Sequence, residues 1–155
     1  MKQSIRSATP EDIDFLYTGL IADFADQGLA HMFKHTKESL HDALFGEDPA
    51  AKVAIAMSDE MPAGFAIYAI DRRGFAALYT PTLFLHDLYV APSMRRMGFA
   101  SFLIDHLKTY AKKNGCGRMD WSVLKDNDAA MAFYLSLEGA KVRDILAHMR
   151  IEFTT

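Results

Sequence analysis

A buried strand, a turn with two arginines and the start of a helix follow one another in the second half of the chain. The apolar run 85–90 predicts the strand, and Arg95 and Arg96 stand in the turn. Gly98 and Ala100 then open the helix, and residues this small let a ligand approach the backbone closely. The first turn of a helix offers unpaired N–H groups and the positive end of the dipole, which together bind phosphate. The arginines add charge beside it, so the segment predicts a pyrophosphate site.

The same residues also fit a plainer interpretation, in which a glycine begins a helix and the two arginines are solvated. Two widespread phosphate-binding motifs are absent from the sequence. The chain has no G-x-x-x-x-G-K-[ST] loop, and it has no G-x-G-x-x-G run after its first strand. The turn and the helix start are therefore the residues on which the predicted pyrophosphate site depends.

Composition and charge indicate a globular protein without a bulk attraction to nucleic acid or to a membrane surface. The chain has 155 residues, of which 50% are hydrophobic and 24% are charged, which predicts one domain over residues 1–155. The net charge is −3, so no bulk electrostatic attraction to nucleic acid is expected. Residues 1–48 hold four Lys or Arg against nine Asp or Glu. This acidic front part could favour a cationic substrate, although a solvated surface would have the same composition.

Cys116 is the single cysteine, so the sequence predicts neither a disulfide framework nor a cysteine-based metal site. It also predicts a reducing, cytoplasmic setting. The first residues lack the apolar segment of a signal peptide, and no apolar stretch is long enough to span a bilayer. Cys116 has no base that can be assigned to it, which favours an ordinary free thiol over an acyl-enzyme. His31 and His35 are four residues apart but lack a third ligand, so no metal is expected.

The periodicity of the apolar residues predicts alternating strands and helices in the order β-α-α-β-β-β-α-β-α-β. Pro10 and the acids that follow Thr9 predict a helix start. Turns are expected at 58–62 and at Asp71 to Gly74, while residues 29–36 are ambiguous. The predicted strands are 4–7, 52–57, 63–70, 83–90, 118–124, 141–142 and 145–153, and the predicted helices are 10–27, 36–45, 98–113 and 127–137.

Two motifs give the chain a resemblance to the GNAT superfamily of N-acetyltransferases. Arg95-x-x-Gly98-x-Ala100 matches the R/Q-x-x-G-x-G/A motif of that family, in the same place between a strand and a helix. Asn127 stands seven residues before Tyr134 on a short helix that ends in Gly-Ala, as it does in the family. The resemblance implies an α/β (α+β) fold of the acyl-CoA N-acyltransferase type. Its mixed central sheet would be splayed at the cofactor site and flanked by helices.

The resemblance also implies that acetyl-coenzyme A is the co-substrate. Backbone groups of Leu88 and Val90 would hold the pantetheine arm, and the backbone N–H groups of 96–100 would hold the pyrophosphate with help from Arg95. Asn127 would contact the coenzyme near its thiol. The complete set of expected cofactor-binding residues is Leu88, Tyr89, Val90, Arg95, Arg96, Met97, Gly98, Phe99, Ala100, Ser101, Asn127 and Tyr134.

Catalytic roles follow from the same resemblance together with the chemistry of amine acetylation. Tyr134 is the candidate acid for the departing thiolate, because a tyrosine hydroxyl holds its proton at neutral pH. His86 is the candidate base, since histidine titrates near neutrality. A sheet histidine without a chemical role is the alternative, with Asp87 or a water chain as the base. On strict strand alternation His86 and Asp87 would face opposite sides of the sheet. A backbone N–H near Tyr89 would polarise the acetyl carbonyl.

Within the superfamily, Leu85-x-Asp87-Leu88-Tyr89-Val90 and the Asn127 spacing are most similar to the diamine and polyamine branch. His86 and Asp126 stand where that branch usually has Glu and often has Trp, and the segment from Tyr134 to Gly139 is one residue longer than usual. We therefore expect a small primary amine as acceptor and a homodimer as the assembly. Two alternatives are a protein N-terminal or lysine acetyltransferase and a non-catalytic acetyl-CoA sensor.

Overall fold

The computed structural model describes residues 1–72 and 80–154, which fall into two compact units, Met1–Ser122 and Val123–Thr155. The first unit holds five strands and three helices, and the second holds one helix. The strands are β1 (Gln3–Ser7), β2 (Lys52–Ser58), β3 (Met61–Asp71), β4 (Thr82–Val90) and β5 (Arg118–Trp121). The helices are α1 (Ile13–Asp26), α2 (Lys37–Phe45), α3 (Phe99–Lys113) and α4 (Asp128–Leu135).

The five strands form one mixed sheet in the order β1-β2-β3-β4-β5. The first four strands pair antiparallel, and β5 pairs parallel to β4 after the crossover through α3. Parallel neighbours require such a crossover, which is why the chain needs the 15-residue helix α3 between these two strands. The sheet thus has an antiparallel part, β1 to β4, and one β-α-β unit. The turn that is expected to bind the pyrophosphate lies in that unit.

Helices α1 and α2 cover one face of the sheet. Their leucines Leu16, Leu20, Leu40 and Leu44 form one buried cluster with large side chains of β2, β3 and β4. Gly19 on α1 is a position of close approach, because a Cβ there would lie 2.6 Å from a ring carbon of Phe65. The opposite face of β2 and β3 carries small residues at 54, 56, 64 and 66, against which α3 can pack closely.

A β-bulge interrupts the pairing of β3 and β4. Ile67 is opposite Asp87, but the next residue, Tyr68, is opposite Leu85, so His86 is an extra residue on β4. Beyond the same point β4 also leaves its other neighbour, because β5 pairs with β4 only from Thr82 to Leu85. Residues 87–90 therefore have one ladder partner instead of two and the bulged His86 has none, which confirms the expected splay of the central sheet.

Most expected elements are confirmed, with shifted ends. Strand β5 ends at Trp121 rather than Leu124, α3 begins at Phe99, and α4 spans Asp128–Leu135 rather than 127–137. A 3-10 turn at Pro10–Asp12 precedes α1, and the ambiguous segment contains another at Ala30–Met32. Strand β3 extends to Asp71, and the rest of the turn expected there runs into residues outside the described part of the chain.

The predicted strands at 141–142 and 145–153 are wrong for this structure. The segment 140–154 has no strand, and its apolar side chains are mostly exposed, as at Met149 with 88% and Phe153 with 86% of the side-chain surface accessible. Alternating apolar and polar residues favour an extended backbone, but a strand also needs a neighbour for its N–H and C=O groups. The sheet order of the described residues contains no strand from this segment.

Candidate active site

The turn between β4 and α3 has a backbone shaped to surround an anion. A 3-10 turn at Pro92–Met94 leads into two residues with left-handed conformations, Arg96 with φ 62° and Gly98 with φ 85°. Gly98 then caps α3, whose first N–H groups have no intrahelical acceptor. Left-handed residues in such a turn direct successive N–H groups toward one concave side, and the dipole of α3 adds positive potential there.

Gln3 on β1 holds this turn from outside and was missed by the sequence analysis. Its side-chain amide donates to the backbone oxygen of Met97 over 2.8 Å. A trans peptide sets its C=O and N–H in opposite directions. Fixing the oxygen of Met97 toward Gln3 therefore turns the N–H of Gly98 away from β1. The contact spans 94 residues of sequence, so only the folded sheet reveals it.

Among the expected phosphate ligands, Phe99 differs from its neighbours. Its side chain is 1% exposed and belongs to the core, so only its backbone is available to a ligand. Ala100 is half-buried and Ser101 is exposed. Met97 is 41% exposed, and Arg96 is exposed as well. The structure therefore places 96–101 together at the start of one helix. What these residues have in common is a backbone N–H group that can donate to a ligand.

Arg95 connects the end of β4 to α1. Its Nε donates to the backbone oxygen of Val90 over 3.1 Å, and its terminal nitrogen lies 3.3 Å from a carboxylate oxygen of Asp26. The two contacts fix the guanidinium beside the turn, although both side chains remain about half exposed. The cation is therefore available to a phosphate, provided that it changes partner.

Backbone groups at the end of β4 face the open side of the sheet. The N–H of Ala91 donates to Ala63 of the β3 edge, so in an antiparallel ladder the alternate residues Val90 and Leu88 direct their N–H and C=O groups away from β3. No strand of the described sheet lies on that side beyond Leu85. Tyr89, between them, has its backbone turned toward β3 and its side chain buried, at 8% exposure. Leu88 and Val90 are thus the residues of this strand that can bond to an extended ligand.

The expected opposition of His86 and Asp87 depended on unbroken alternation along β4. The bulge inserts His86 into β4, which breaks the alternation on which that expectation depended. The two side chains are close enough for the imidazole to favour the charged form of the carboxyl. Burial nevertheless dominates and raises the pKa of Asp87, while His86 is exposed with its ring 5.0 Å from that of Phe84.

A cluster of three carboxylates, formed by Asp23, Asp26 and Asp87, joins the last turn of α1 to the bulge. Burial, which is the largest cause, and the negative charges of Asp87 and Asp26 together raise the pKa of Asp23 to about 6, against the opposing effects of Arg95 and of the hydrogen bond from Gln27. Carboxylates near the C-terminal end of a helix oppose its dipole, so this arrangement lowers stability. Acidic residues in the last turn of a predicted helix are therefore a signal in the sequence that points to such a cluster.

The second unit holds the remaining two expected residues on α4. Asn127 is the N-cap, and its side-chain oxygen accepts from the N–H of Ala130 over 3.2 Å. This leaves the amide nitrogen for another acceptor. Tyr134 is the next-to-last residue of α4 and is half-buried, with its ring 5.2 Å from that of Phe133. The spacing of seven residues thus puts both side chains on one short helix.

Other reactive side chains lie outside this arrangement. Burial raises the pKa of the Cys116 thiol, which keeps it protonated at neutral pH and makes it a poor nucleophile. Within 1–72 and 80–154, no group of three or more His, Cys, Asp or Glu side chains could hold a metal ion. None of the helices in those ranges has the length and apolar character needed to cross a membrane.

Comparison with known proteins decides what this arrangement belongs to. A family model described as "Acetyltransferase (GNAT) family" matches residues 14–138. The chain belongs to the GNAT acetyltransferase family. It is 30% identical over 131 residues to a thialysine N-epsilon-acetyltransferase of Caenorhabditis elegans, covering 84% of this chain and 78% of the relative. It is 24% identical over 185 residues to an L-ornithine N5-acetyltransferase of Arabidopsis thaliana, covering 92% and 81%.

A solved structure extends the match to the whole fold. An integron cassette protein of V. cholerae superposes with a TM-score of 0.79 and 25% identity, over 99% of this chain and 94% of the other. The GNAT protein described here is accordingly an acetyl-CoA-dependent N-acetyltransferase with a mixed α/β fold. Its residues fit that co-substrate, because the open end of β4 suits an extended amide-containing arm and the turn before α3 suits a pyrophosphate.

We expect Gly98→Ala to weaken acetyl-CoA binding selectively. A side chain at φ 85° costs about 1–2 kcal/mol, which favours a changed turn and raises the KM for acetyl-CoA about tenfold. Gly115→Ala is the matched control, because Gly115 has φ 73°, equally open surroundings and a position beyond the other end of α3. Equal KM values for the two variants in steady-state kinetics would contradict this role of the turn.

Proposed function

We propose that this enzyme acetylates the primary amine of a small cationic molecule, such as a diamine, a polyamine or an amino acid with a basic side chain. The observation that supports the proposal is the carboxylate cluster of Asp23, Asp26 and Asp87. It lies on the α1 side of β4, next to the Arg95 turn. A half-buried group of negative charges in that position favours an ammonium group over a neutral or anionic acceptor.

The relatives support the same substrate class. Their printed names describe acetylation of the ε nitrogen of thialysine and of the N5 nitrogen of ornithine. Both nitrogens are amines at the end of a flexible side chain. Transfer of this specificity to the present chain is our inference, and it agrees with a front part of the sequence in which acids outnumber bases nine to four.

In the proposed mechanism, the carboxylates of Asp23 and Asp87 hold the ammonium group of the acceptor. His86, at the adjoining bulge, accepts the proton that the amine must lose before it attacks. Acetyl-CoA supplies the thioester-bound acetyl group. The carbonyl oxygen of the acetyl group gains negative charge when the amine attacks. The outward N–H groups of Leu88 and Val90, on either side of Tyr89, donate hydrogen bonds to that oxygen. Tyr134 donates a proton to the departing sulfur, and Asn127 orients the same end of the coenzyme.

We also propose that the enzyme acts as a homodimer in the cytoplasm. The homodimer is proposed from the resemblance to the diamine branch, and the cytoplasmic location from a single, half-buried cysteine that forms no disulfide. A native mass measurement and fractionation of cells would test the two parts separately.

A thiol-release assay with acetyl-CoA and a panel of amines tests the proposed activity. The panel contains spermidine, spermine, putrescine, ornithine, lysine, thialysine, an aminoglycoside and several peptides. We expect turnover with the small cationic amines, and kcat/KM at least tenfold lower for peptides. Turnover with peptides alone would replace the proposal with protein acetylation. Silence across the panel, with acetyl-CoA binding shown by a thermal shift, would overturn it in favour of a sensor.

We expect Asp23 to control the acidic limb of the pH profile for a cationic acceptor. Since the pKa of Asp23 is raised to about 6, the carboxyl is charged above that pH and loses its charge below it. In the wild type kcat/KM should fall as the pH drops through about 6. Asp23→Asn should raise the acceptor KM about ten- to a hundredfold at pH 7.5 and remove that limb. The KM for acetyl-CoA should stay the same.

Asp14→Asn is the matched control for this prediction, because Asp14 lies on the same helix but is 78% exposed and paired with Lys37. A raised folded-state pKa means that the charged carboxyl lowers stability at neutral pH. Asp23→Asn should therefore also raise Tm by about 2–4 °C at pH 7.5, if about 1 kcal/mol is recovered. An acidic limb that survives in Asp23→Asn but disappears in His86→Asn would transfer the titrating role to His86.

We expect Tyr134→Phe to reduce kcat by about 10²–10⁴ while leaving acetyl-CoA affinity within twofold. The hydroxyl is the acid that protonates the thiolate, whereas the ring contact with Phe133 is preserved by phenylalanine. Tyr110→Phe on α3 is the control, since it removes a hydroxyl from a ring that packs on Tyr68. An unchanged kcat for Tyr134→Phe, with a thiol detected by a chromogenic reagent, would show that another group supplies the proton.

A further inference from the structure

The turn that is expected to bind the pyrophosphate contains a strained residue and a peptide without a backbone partner. Arg96 adopts φ 62°, a left-handed conformation that a residue with a side chain keeps only when its surroundings enforce it. Within 1–72 and 80–154, residues 96 and 97 make no hydrogen bond to another backbone group. The turn therefore needs a restraint from outside if it is to keep one shape before a ligand binds.

A side chain from the far edge of the sheet supplies that restraint. Gln3 is the first residue of β1, which lies three strands away from β4, and its amide donates to the oxygen of Met97 over 2.8 Å. The contact is possible because α3, which begins at Phe99, packs across β2 and β3 and reaches β1. The residues that lead into α3 are thereby tied to the edge of the sheet farthest from β5.

The backbone of Gln3 is itself fixed in the sheet. It lies opposite Ser58 in the pairing of β1 with β2. The residue before it, Lys2, bonds twice to Asp59 in the turn that follows β2. The N–H of Lys2 donates to the carboxylate over 2.9 Å, and its oxygen accepts from the N–H of Asp59 over 2.7 Å. Gln3 therefore acts on the turn from a rigid strand, although it stands near the start of the chain.

The contact determines which way one peptide group faces. The C=O of Met97 and the N–H of Gly98 belong to the same trans peptide and point in opposite directions. While Gln3 holds the oxygen toward β1, the N–H of Gly98 faces away from β1 and can donate to a ligand. If this peptide rotated, a carbonyl oxygen would replace the donor, and a carbonyl oxygen repels an anion. The amide of Gln3 disfavours that rotation.

We propose that Gln3 is a positioning residue for the coenzyme, which keeps the peptide between Met97 and Gly98 turned so that its N–H donates to the pyrophosphate. Gln3 acts through this peptide rather than through a contact of its own with the ligand. The preference of the enzyme for acetyl-CoA over an acetyl thioester that lacks the pyrophosphate depends on the contact. The inference rests on the assignment of the turn as the pyrophosphate site, and it is independent of the proposed acceptor.

Two acetyl donors separate positioning from a merely structural role. Acetyl-pantetheine has the acetyl thioester and the pantetheine arm of acetyl-CoA but lacks the pyrophosphate. Gln3→Met keeps the length of the side chain and removes its donor. We expect this variant to raise the KM for acetyl-CoA about five- to tenfold, as for one lost hydrogen bond, with kcat within about twofold. For acetyl-pantetheine, kcat/KM should stay within about twofold of the wild-type value.

A binding measurement makes the test independent of the acceptor. Calorimetric titration with CoA and with pantetheine should show the same contrast, with a Kd raised about five- to tenfold for CoA alone. Ser7→Ala is the matched control, because Ser7 lies on the same strand and its side chain is exposed at the other end of β1. This control should leave the binding of both compounds unchanged. A loss of equal size with both compounds in Gln3→Met would show that Gln3 supports the fold and would contradict the inference.

Gly98→Ala separates failure of this inference from failure of the site assignment. If Gly98→Ala weakens CoA binding and Gln3→Met does not, the turn binds the coenzyme without Gln3, and the inference is overturned. If neither variant weakens binding, the turn is not the pyrophosphate site, and the inference fails with it. In the double variant, the loss should be smaller than the product of the two single losses, because both changes act on one peptide. A full product would show that they act independently.

Discussion

Strand β4 pairs with two neighbouring strands along its first half and with one along its second half. The arrangement of the candidate site depends on that change. Backbone groups of a central strand are normally consumed by hydrogen bonds on both sides. Here β5 stops at the partner of Leu85, which leaves the outward groups of Leu88 and the N–H of Val90 for a ligand, while the oxygen of Val90 accepts from Arg95. The opening is a property of the sheet, so a ligand that binds there completes the ladder rather than competing with it.

Two opposite electrostatic regions meet at the end of that strand. The turn before α3 is positive because of Arg95, Arg96 and the helix dipole, whereas the α1 side is negative because of its carboxylates. A GNAT enzyme must bring an anionic coenzyme and, in the function proposed here, a cationic amine to one carbonyl carbon. The fold places the two regions on different elements, and the ion pair of Arg95 with Asp26 joins them.

Most helices and strands of this fold were predicted from the sequence, and so was the turn of Arg95 and Gly98. Local residues determine the elements and the turn alike. The bulge could not be predicted from β4, whose residues alternate normally. It arises from the pairing of Ile67 and Tyr68 on β3, which is a tertiary property. Gln3 was missed for the same reason, since its relevance depends on the distant turn that it contacts. The segment 145–153 shows the converse case, in which alternating residues predicted a strand that the structure does not form.

Arg95 bonds both Val90 and Asp26, and this has a consequence for how the binding of one ligand affects the affinity for the other. In the free enzyme its guanidinium offsets part of the negative charge that Asp26 and Asp23 present. A bound pyrophosphate that attracts Arg95 withdraws this offset, so the carboxylates attract a cation more strongly once the coenzyme is in place. Coupling between two sites is reciprocal, and the amine therefore tightens the hold on the coenzyme by the same factor. In the function proposed here, a single arginine in this position would make the two ligands cooperative without any movement of the sheet.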